Sequence, residues 1–199
     1  MSAMRRLIPF ANQAAKERGL EVVKLNLGQP DIETPAPFWD AVENFQKKEN
    51  ILEYAPSAGR PELVSALVKY YASCDIHFTE DQLIVTIGGC EAILLAFMAC
   101  CDVGDEIIVF EPYYSNYSGL ASMAGLTLVA VPTSVEDGYH PPCREKIVEK
   151  VTSKTRAIMF ASPGNPTGAV FTKEELLMLV SIAKEKGRWR QDSSTMNED

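Results

Sequence analysis

A chain of 199 residues, 46% hydrophobic and 23% charged, is long enough to bury a core and reads as globular, with one domain as the default. A formal net charge of -8 excludes the clustered basic face that nucleic-acid binding requires, so any anionic ligand must be held by local donors. No run approaches the ~20 apolar residues of a membrane span, and the five cysteines, odd in number and without C-x-x-C spacing, fit free thiols in a reducing compartment, so the expected location is cytoplasmic.

In chain order, MSAMRRLIPFANQAAKERG places Leu7, Phe10, Ala11, Ala14 and Ala15 at helical spacing and stops at Gly19, a residue suited to a helix C-cap. Arg5 and Arg6 leave a mitochondrial presequence as an alternative, but Asn12, Gln13 and Lys16 interrupt the stretch before a secretory core forms. VVKLNLGQPD reads as a short strand running into a turn. TPAPFWDAVENFQKKEN and PELVSALVKYYASC read as helices, with Pro61 suited to a first helical turn.

From residue 83 the pattern alternates. LIVTIG, EIIVF, TLVAVP and RAIMFAS are short, continuously apolar and rich in Val and Ile, as strands covered on both faces tend to be. EAILLAFMACC, SNYSGLASMAG and PCREKIVEKVT lie between them and read as helices, which predicts an α/β layer architecture with a mostly parallel sheet. KEELLMLVSIAKEKG is a last helix. The polar, aperiodic GRWRQDSSTMNED that follows is expected to be a disordered tail.

In open α/β sheets ligands bind outside the carboxyl ends of the strands, so the residues just after each apolar run are the candidates. In TIGGCEAILL, Gly88 and Gly89 end a strand where a helix begins, which describes either an anion site built from backbone N–H groups or a plain tight turn. FEPYYSNY clusters Tyr113, Tyr114 and Tyr117 behind Pro112, and such aromatics stack on a planar ring or pack in a core. In ASPGNPTGAV, the Asn165 amide is able to donate to a ring oxygen, with Pro166 fixing the backbone behind it. Gly28 in NLGQPD offers a bare backbone N–H, and Tyr54 and Gly59 mark a loop ahead of a helix.

In this order, N-L-G-Q-P-D, Y-A-P-S-A-G-R-P-E-L, G-G-C-E-A, E-P-Y-Y-S-N-Y and S-P-G-N-P-T-G resemble the class I/II aminotransferases of fold type I, which use pyridoxal 5'-phosphate. The likeness spans roughly residues 5 to 187. It implies an α/β fold that is an incomplete fold type I large domain, a mostly parallel sheet between helices, over residues 41–187. Residues 1–40 would then be an N-terminal arm and part of the small domain, and residues 188–199 a tail outside the likeness.

The resemblance also assigns roles. Gly89 and Cys90 match the turn whose backbone cradles the cofactor phosphate, Tyr114 the aromatic that stacks on the pyridine ring, and Asn165 the amide that hydrogen-bonds the ring's phenolic oxygen. Asn165 and Gly28 match positions at the substrate, Gly28 beside its carboxylate, and Tyr54 matches a tyrosine that reaches the phosphate bound by the neighbouring subunit of a homodimer. Glu111-Pro112 and Asn165-Pro166 match bonds that are cis in some relatives.

Three parts of the family's machinery have no matching position here: the Schiff-base lysine, the Asp that keeps the pyridine nitrogen protonated, and an Arg for the substrate's α-carboxylate. No catalytic residue is therefore assigned. Lys154 precedes RAIMFAS and so sits at the strand's amino end, on the order of 20 Å from the cofactor side at ~3.3 Å per residue. Asp192 follows no apolar strand.

The function implied is amino-group transfer between an amino acid and a 2-oxo acid, closer in pattern to the aspartate and aromatic branch, with this chain inactive alone. Two other readings stay open: a non-catalytic cofactor-binding module that pairs with a full-length subunit, and a fragment of a fold type I lyase. In the family's sheet LIVTIG is separated from the next strands by strands later in the chain, so unpaired edges and a marginal, aggregation-prone chain are expected.

Overall fold

The computed structural model describes residues 7–23, 28, 31–48, 51 and 53–186, with residues 46 and 48 as backbone only. The expected strand in VVKLNLGQPD and the expected disordered tail fall largely outside the described residues. The chain divides after Ile87 into two compact units.

The first unit is helical. Helix α1 (Ile8–Arg18) ends at Gly19, whose φ of 63° is the left-handed geometry that glycine adopts without a Cβ clash, with the Gly19 N–H bonded to Ala15 O. Helix α2 is Ala36–Lys48. Helix α3 (Pro61–Ser73) has proline in its first turn, where the missing N–H has no intrahelical acceptor to lose. Arg60 lies over the Phe45 ring at 5.4 Å, and Tyr71 packs edge-on against Phe78 at 5.3 Å. Val64, at 5% exposure, is the one buried apolar residue among the described residues of this unit.

LIVTIG does not form the expected strand. After a 3-10 turn (Glu80–Gln82), the chain is extended at Leu83, but residues 83–86 join no ladder among the described residues, and Ile84 and Ile87 are 70% and 98% exposed. Strands exist through pairing, and here the Val85 N–H bonds instead to Ala58 O in the preceding loop, at 2.9 Å. That close pass also explains Gly59: its φ is 107°, and an added Cβ would lie 2.5 Å from Val85 Cγ2.

The second unit is the α/β layer structure. It runs α4 (Gly89–Cys100), β1 (Glu106–Glu111), α5 (Asn116–Met123), β2 (Thr127–Pro132), α6 (Arg144–Val148), β3 (Thr155–Met159) and α7 (Lys173–Lys186). The three strands are parallel in the order β2-β1-β3. Central β1 alternates its side chains as a strand must: Ile108 and Phe110 pack with Ile147 of α6 and Leu179 and Ile182 of α7, whereas Ile107 and Val109 pack with Phe97 of α4 and Leu120 and Ala121 of α5. Burial of β1 on both faces is the reason its sequence is an unbroken apolar run. Helix α6 is shorter than PCREKIVEKVT suggests, five residues long behind Pro141 and Pro142.

The carboxyl ends of β1 and β3 therefore point the same way, and both carry loops containing cis proline bonds: Glu111-Pro112 after β1, Ser162-Pro163 and Asn165-Pro166 after β3. No helix among the described residues is long and apolar enough to cross a membrane.

Candidate cofactor site

The β1 loop and the start of α4 are joined by one side chain. The Asn116 amide, at the start of α5, donates to Tyr114 Oη at 2.7 Å and reaches Cys90 Sγ at 3.6 Å. Cys90 and Tyr114 are 24 residues apart in sequence, yet a single amide bridges them. Neither composition nor spacing singled out Asn116; the signal available was its place within the tyrosine cluster of EPYYSNY.

The tyrosines divide the work. Tyr117 is buried and packs perpendicular to Tyr114, ring centroids 5.4 Å apart, which fixes the plane of the partly exposed Tyr114 ring. Tyr113 stacks on Tyr117 at 6.2 Å and shares a hydrogen bond with Ser118 at 3.2 Å. Burial pushes the Tyr117 phenol above its ordinary value, and the neighbouring Tyr114 and Cys90 add to the effect, so Tyr117 is a neutral packing group. Tyr113 and Tyr114 are both partly exposed.

The loop after β3 closes on itself. Gly168 N–H bonds to Gly164 O and Gly164 N–H to Ala169 O, both at 2.8 Å. The Thr167 hydroxyl accepts from the Ala169 N–H, and the Ser162 hydroxyl from the Phe171 N–H. Ala169 and Phe171 anchor the loop in the core shared by α6 and α7. With the backbone so satisfied, Asn165 stands exposed at a cleft that it lines with Pro112, Tyr113, Tyr117, Tyr139 and Phe160. Tyr117 thus both packs against Tyr114 and lines the cleft that Asn165 borders, whereas Tyr114 does not line it.

The far wall of this cleft is the loop after β2. Tyr139 has a φ of 62°, a conformation rare for a bulky residue, held by its N–H on Ser134 O at 2.8 Å. The next residue, His140, sits with Nδ1 2.9 and 3.0 Å from the two carboxylate oxygens of Glu175. Burial pushes the Glu175 carboxyl up, but the Thr172 N–H and His140 outweigh it and hold the group below its ordinary value of 4.5.

These features fit a phosphorylated aromatic ring. A Cβ added at Gly88 or Gly89 would meet nothing within 4 Å, so the start of α4 has room for a bulky anion. The N–H groups of Gly89 and Cys90 belong to the first turn, where the helix offers no carbonyl acceptor and its dipole favours negative charge. Tyr114 offers a ring of fixed plane, and Asn165 an exposed amide. Gly28 and Tyr54 belong to the first unit; Gly28 is exposed, with open space around it, and Tyr54 is fully exposed. No group of His, Cys, Asp or Glu among the described residues has a metal-binding arrangement.

Comparison with known proteins bears on the family and the fold. Residues 21–190 match the family model for aminotransferase class I and II. The chain is 37% identical over 171 residues to the aspartate/prephenate aminotransferase of Thermus thermophilus, which covers 85% of this chain and 44% of that protein. It is 36% identical to the bifunctional aspartate aminotransferase and glutamate/aspartate-prephenate aminotransferase of Petunia hybrida, over 88% of this chain and 36% of that one. Among solved structures, an aspartate aminotransferase mutant from Thermus thermophilus matches with a TM-score of 0.83 and 35% identity, covering 94% of this chain and 48% of the other. An alanine aminotransferase from Pyrococcus furiosus gives the same TM-score at 34% identity and the same coverage. The chain thus spans less than half the length of the relatives it matches.

Proposed function

Because residues 21–190 match its family model, this chain belongs to the class I and II aminotransferases, and from that premise we propose that it carries the amino-terminal half of a pyridoxal 5'-phosphate site. The fold is the corresponding part of a fold type I aminotransferase, an α/β structure with a parallel sheet. The observation that carries the proposal is the Asn116 bridge between Cys90 and Tyr114, with Asn165 on the cleft beside the same tyrosine cluster.

In this reading the Gly89 and Cys90 N–H groups hold the phosphate, Tyr114 stacks on the pyridine ring, and the Asn165 amide donates to its phenolic oxygen and borders the substrate. When bound, the cofactor supplies the electron sink that lets an amino acid lose its α-proton. Asn116 keeps the Tyr114 ring oriented. The reaction class is amino transfer between an amino acid and a 2-oxo acid, and the names of the relatives make aspartate the first donor to test. Gly28 serves the substrate carboxylate. Tyr54 serves the phosphate of a second subunit in a homodimer.

Amino transfer also requires a lysine to carry the cofactor and an acid at the ring nitrogen. Lys154, at the turn before β3, lies at the amino end of the sheet, away from the cleft. The chain alone is therefore inactive in this reading, with its cofactor held by non-covalent contacts. Titration with pyridoxal 5'-phosphate, followed by quenching of protein fluorescence, tests the site. Tyr114→Ala and Asn165→Ala are each expected to weaken binding about tenfold, the loss of roughly 1.4 kcal/mol. Affinity unchanged in both variants would refute the assignment, and transamination of aspartate by the 199-residue chain would refute the inactivity.

A further inference from the structure

The cleft that Asn165 borders has its far wall in a stretch without helix or strand. After β2 ends at Pro132, residues 133–143 run as turns and irregular chain until α6 begins. The start of this stretch is tied to β1, since the Thr133 N–H and hydroxyl both donate to Glu111 O, at 2.9 and 2.8 Å. Its middle holds itself: the Ser134 hydroxyl accepts from the N–H groups of Glu136 and Asp137, and the Ser134 carbonyl from that of Tyr139. From Tyr139 and His140, the one polar contact with another element among the described residues is His140 Nδ1 on the Glu175 carboxylate. Tyr139 keeps a φ of 62°, which a bulky residue holds only where its surroundings impose it.

Glu175 does not serve His140 alone. It stands in the first turn of α7, where its carboxylate accepts the Thr172 N–H at 2.7 Å while the Thr172 hydroxyl accepts the Glu175 N–H at 3.2 Å, a reciprocal cap. Thr172 directly follows Phe171, which ends the loop of Asn165. The Phe171 N–H is taken by the Ser162 hydroxyl, and its ring meets Phe160 at 5.5 Å and His140 at 6.4 Å. One carboxylate therefore receives the loop after β2 and closes the root of the loop after β3. Held below its ordinary value, the Glu175 carboxyl is ionised at neutral pH and only accepts, so Nδ1 carries the hydrogen whether the imidazole is neutral or protonated.

We propose that His140 is a positioning residue for Asn165: by donating to Glu175 it ties the loop after β2 to the root of the loop after β3, so that the two walls of the cleft are set together. This rests on the proposed function for the ring that Asn165 meets, whereas the tie itself belongs to the chain without ligand. His140 touches neither cofactor nor substrate in this reading. It acts through Glu175 on the frame that carries the Asn165 amide, and through the neighbouring Tyr139 on the opposite wall.

Two variants of the 199-residue chain test it. His140→Leu removes the donor and keeps apolar bulk beside Phe171, and His140→Asn returns an amide N–H near the place of Nδ1. Amide exchange without ligand is read at Tyr139, at Gly164 and Gly168 in the loop of Asn165, and at the buried Val109 of β1, which reports global opening. His140→Leu is expected to lower protection at Tyr139, Gly164 and Gly168 about tenfold more than at Val109, and His140→Asn to restore most of it. A fall confined to Tyr139, an equal fall at all four positions, or no recovery with His140→Asn would each overturn the inference. Titration with pyridoxal 5'-phosphate separates it from the cofactor site. Binding weakened about tenfold by His140→Leu and recovered by His140→Asn supports the positioning role. Binding weakened by Asn165→Ala but not by His140→Leu sinks that role alone, and no binding to the unaltered chain sinks the cofactor site while the exchange pattern still decides the tie.

Discussion

Residues 88–186 and residues 7–87 are held in different ways. In the later segment a central strand with Ile108 and Val109 at 0% exposure is covered by helices on both faces. In the earlier one three helices leave Phe10, Phe38, Trp39 and Tyr70 exposed and bury Val64 alone among the described apolar residues. Apolar content does not explain the contrast, since α2 alone carries Phe38, Trp39, Val42 and Phe45. A sheet gives each apolar side chain a surface to meet, whereas a lone amphipathic helix must borrow one. The difference teaches that burial here follows from what surface each segment gives its apolar side chains to pack against.

The largest effect that would sharpen the comparison is Ile108→Ala. Removing a fully buried branched side chain from between two helix layers is expected to cost about 2–5 kcal/mol. Trp39→Ala, at a site 55% exposed, is expected to cost about 0.5 kcal/mol or less. Equilibrium urea unfolding followed by circular dichroism reads both. Equal costs would mean that α2 is packed in solution against another surface, and the contrast would fail.

A middle effect probes the tightest point of the first unit. Gly59→Ala forces a Cβ toward Val85 at a φ of 107° and is expected to destabilise by about 1–3 kcal/mol, with faster amide exchange at Val85. A neutral result would show that the approach of residues 83–86 to the loop at Ala58 is not maintained in solution.

The smallest effect concerns pH and the second unit alone. Glu175 has a carboxyl lowered below 4.5, so the native state binds fewer protons there than the unfolded chain. Its contribution is present above pH 4.5 and is lost as pH falls through the lower folded value. Glu175→Gln is expected to flatten the stability profile in that acid window, as measured by urea midpoints across a pH series.

Much of this was legible in the residues. EIIVF, TLVAVP and RAIMFAS announced the three strands as short apolar runs, and Gly19 announced the end of α1. The loops of Tyr114 and Asn165 were singled out because the ends of parallel strands are where an α/β sheet binds ligands, and both do follow parallel strands, β1 and β3. LIVTIG was misread for a definite reason: its composition reports what a strand there would be buried against, while strand formation itself depends on a neighbour that the described residues lack. Asn116 escaped for another. Its role depends on two residues brought to it by α4 and β1, and no local pattern reports such a convergence. The tie from His140 to Glu175, 35 residues apart, was hidden in the same way.

The loop from Ser162 to Phe171 carries one more consequence. Its hydroxyls and carbonyls satisfy its own N–H groups, and its far end is rooted in the core. The entropy of ordering its backbone is therefore spent during folding rather than at ligand encounter, so in the proposed site Asn165 is carried on a frame ordered before any ring arrives. Binding there should accordingly show little heat-capacity or exchange signature of loop ordering, and a substitution of Asn165 should alter which ring is preferred without disturbing the frame that presents it.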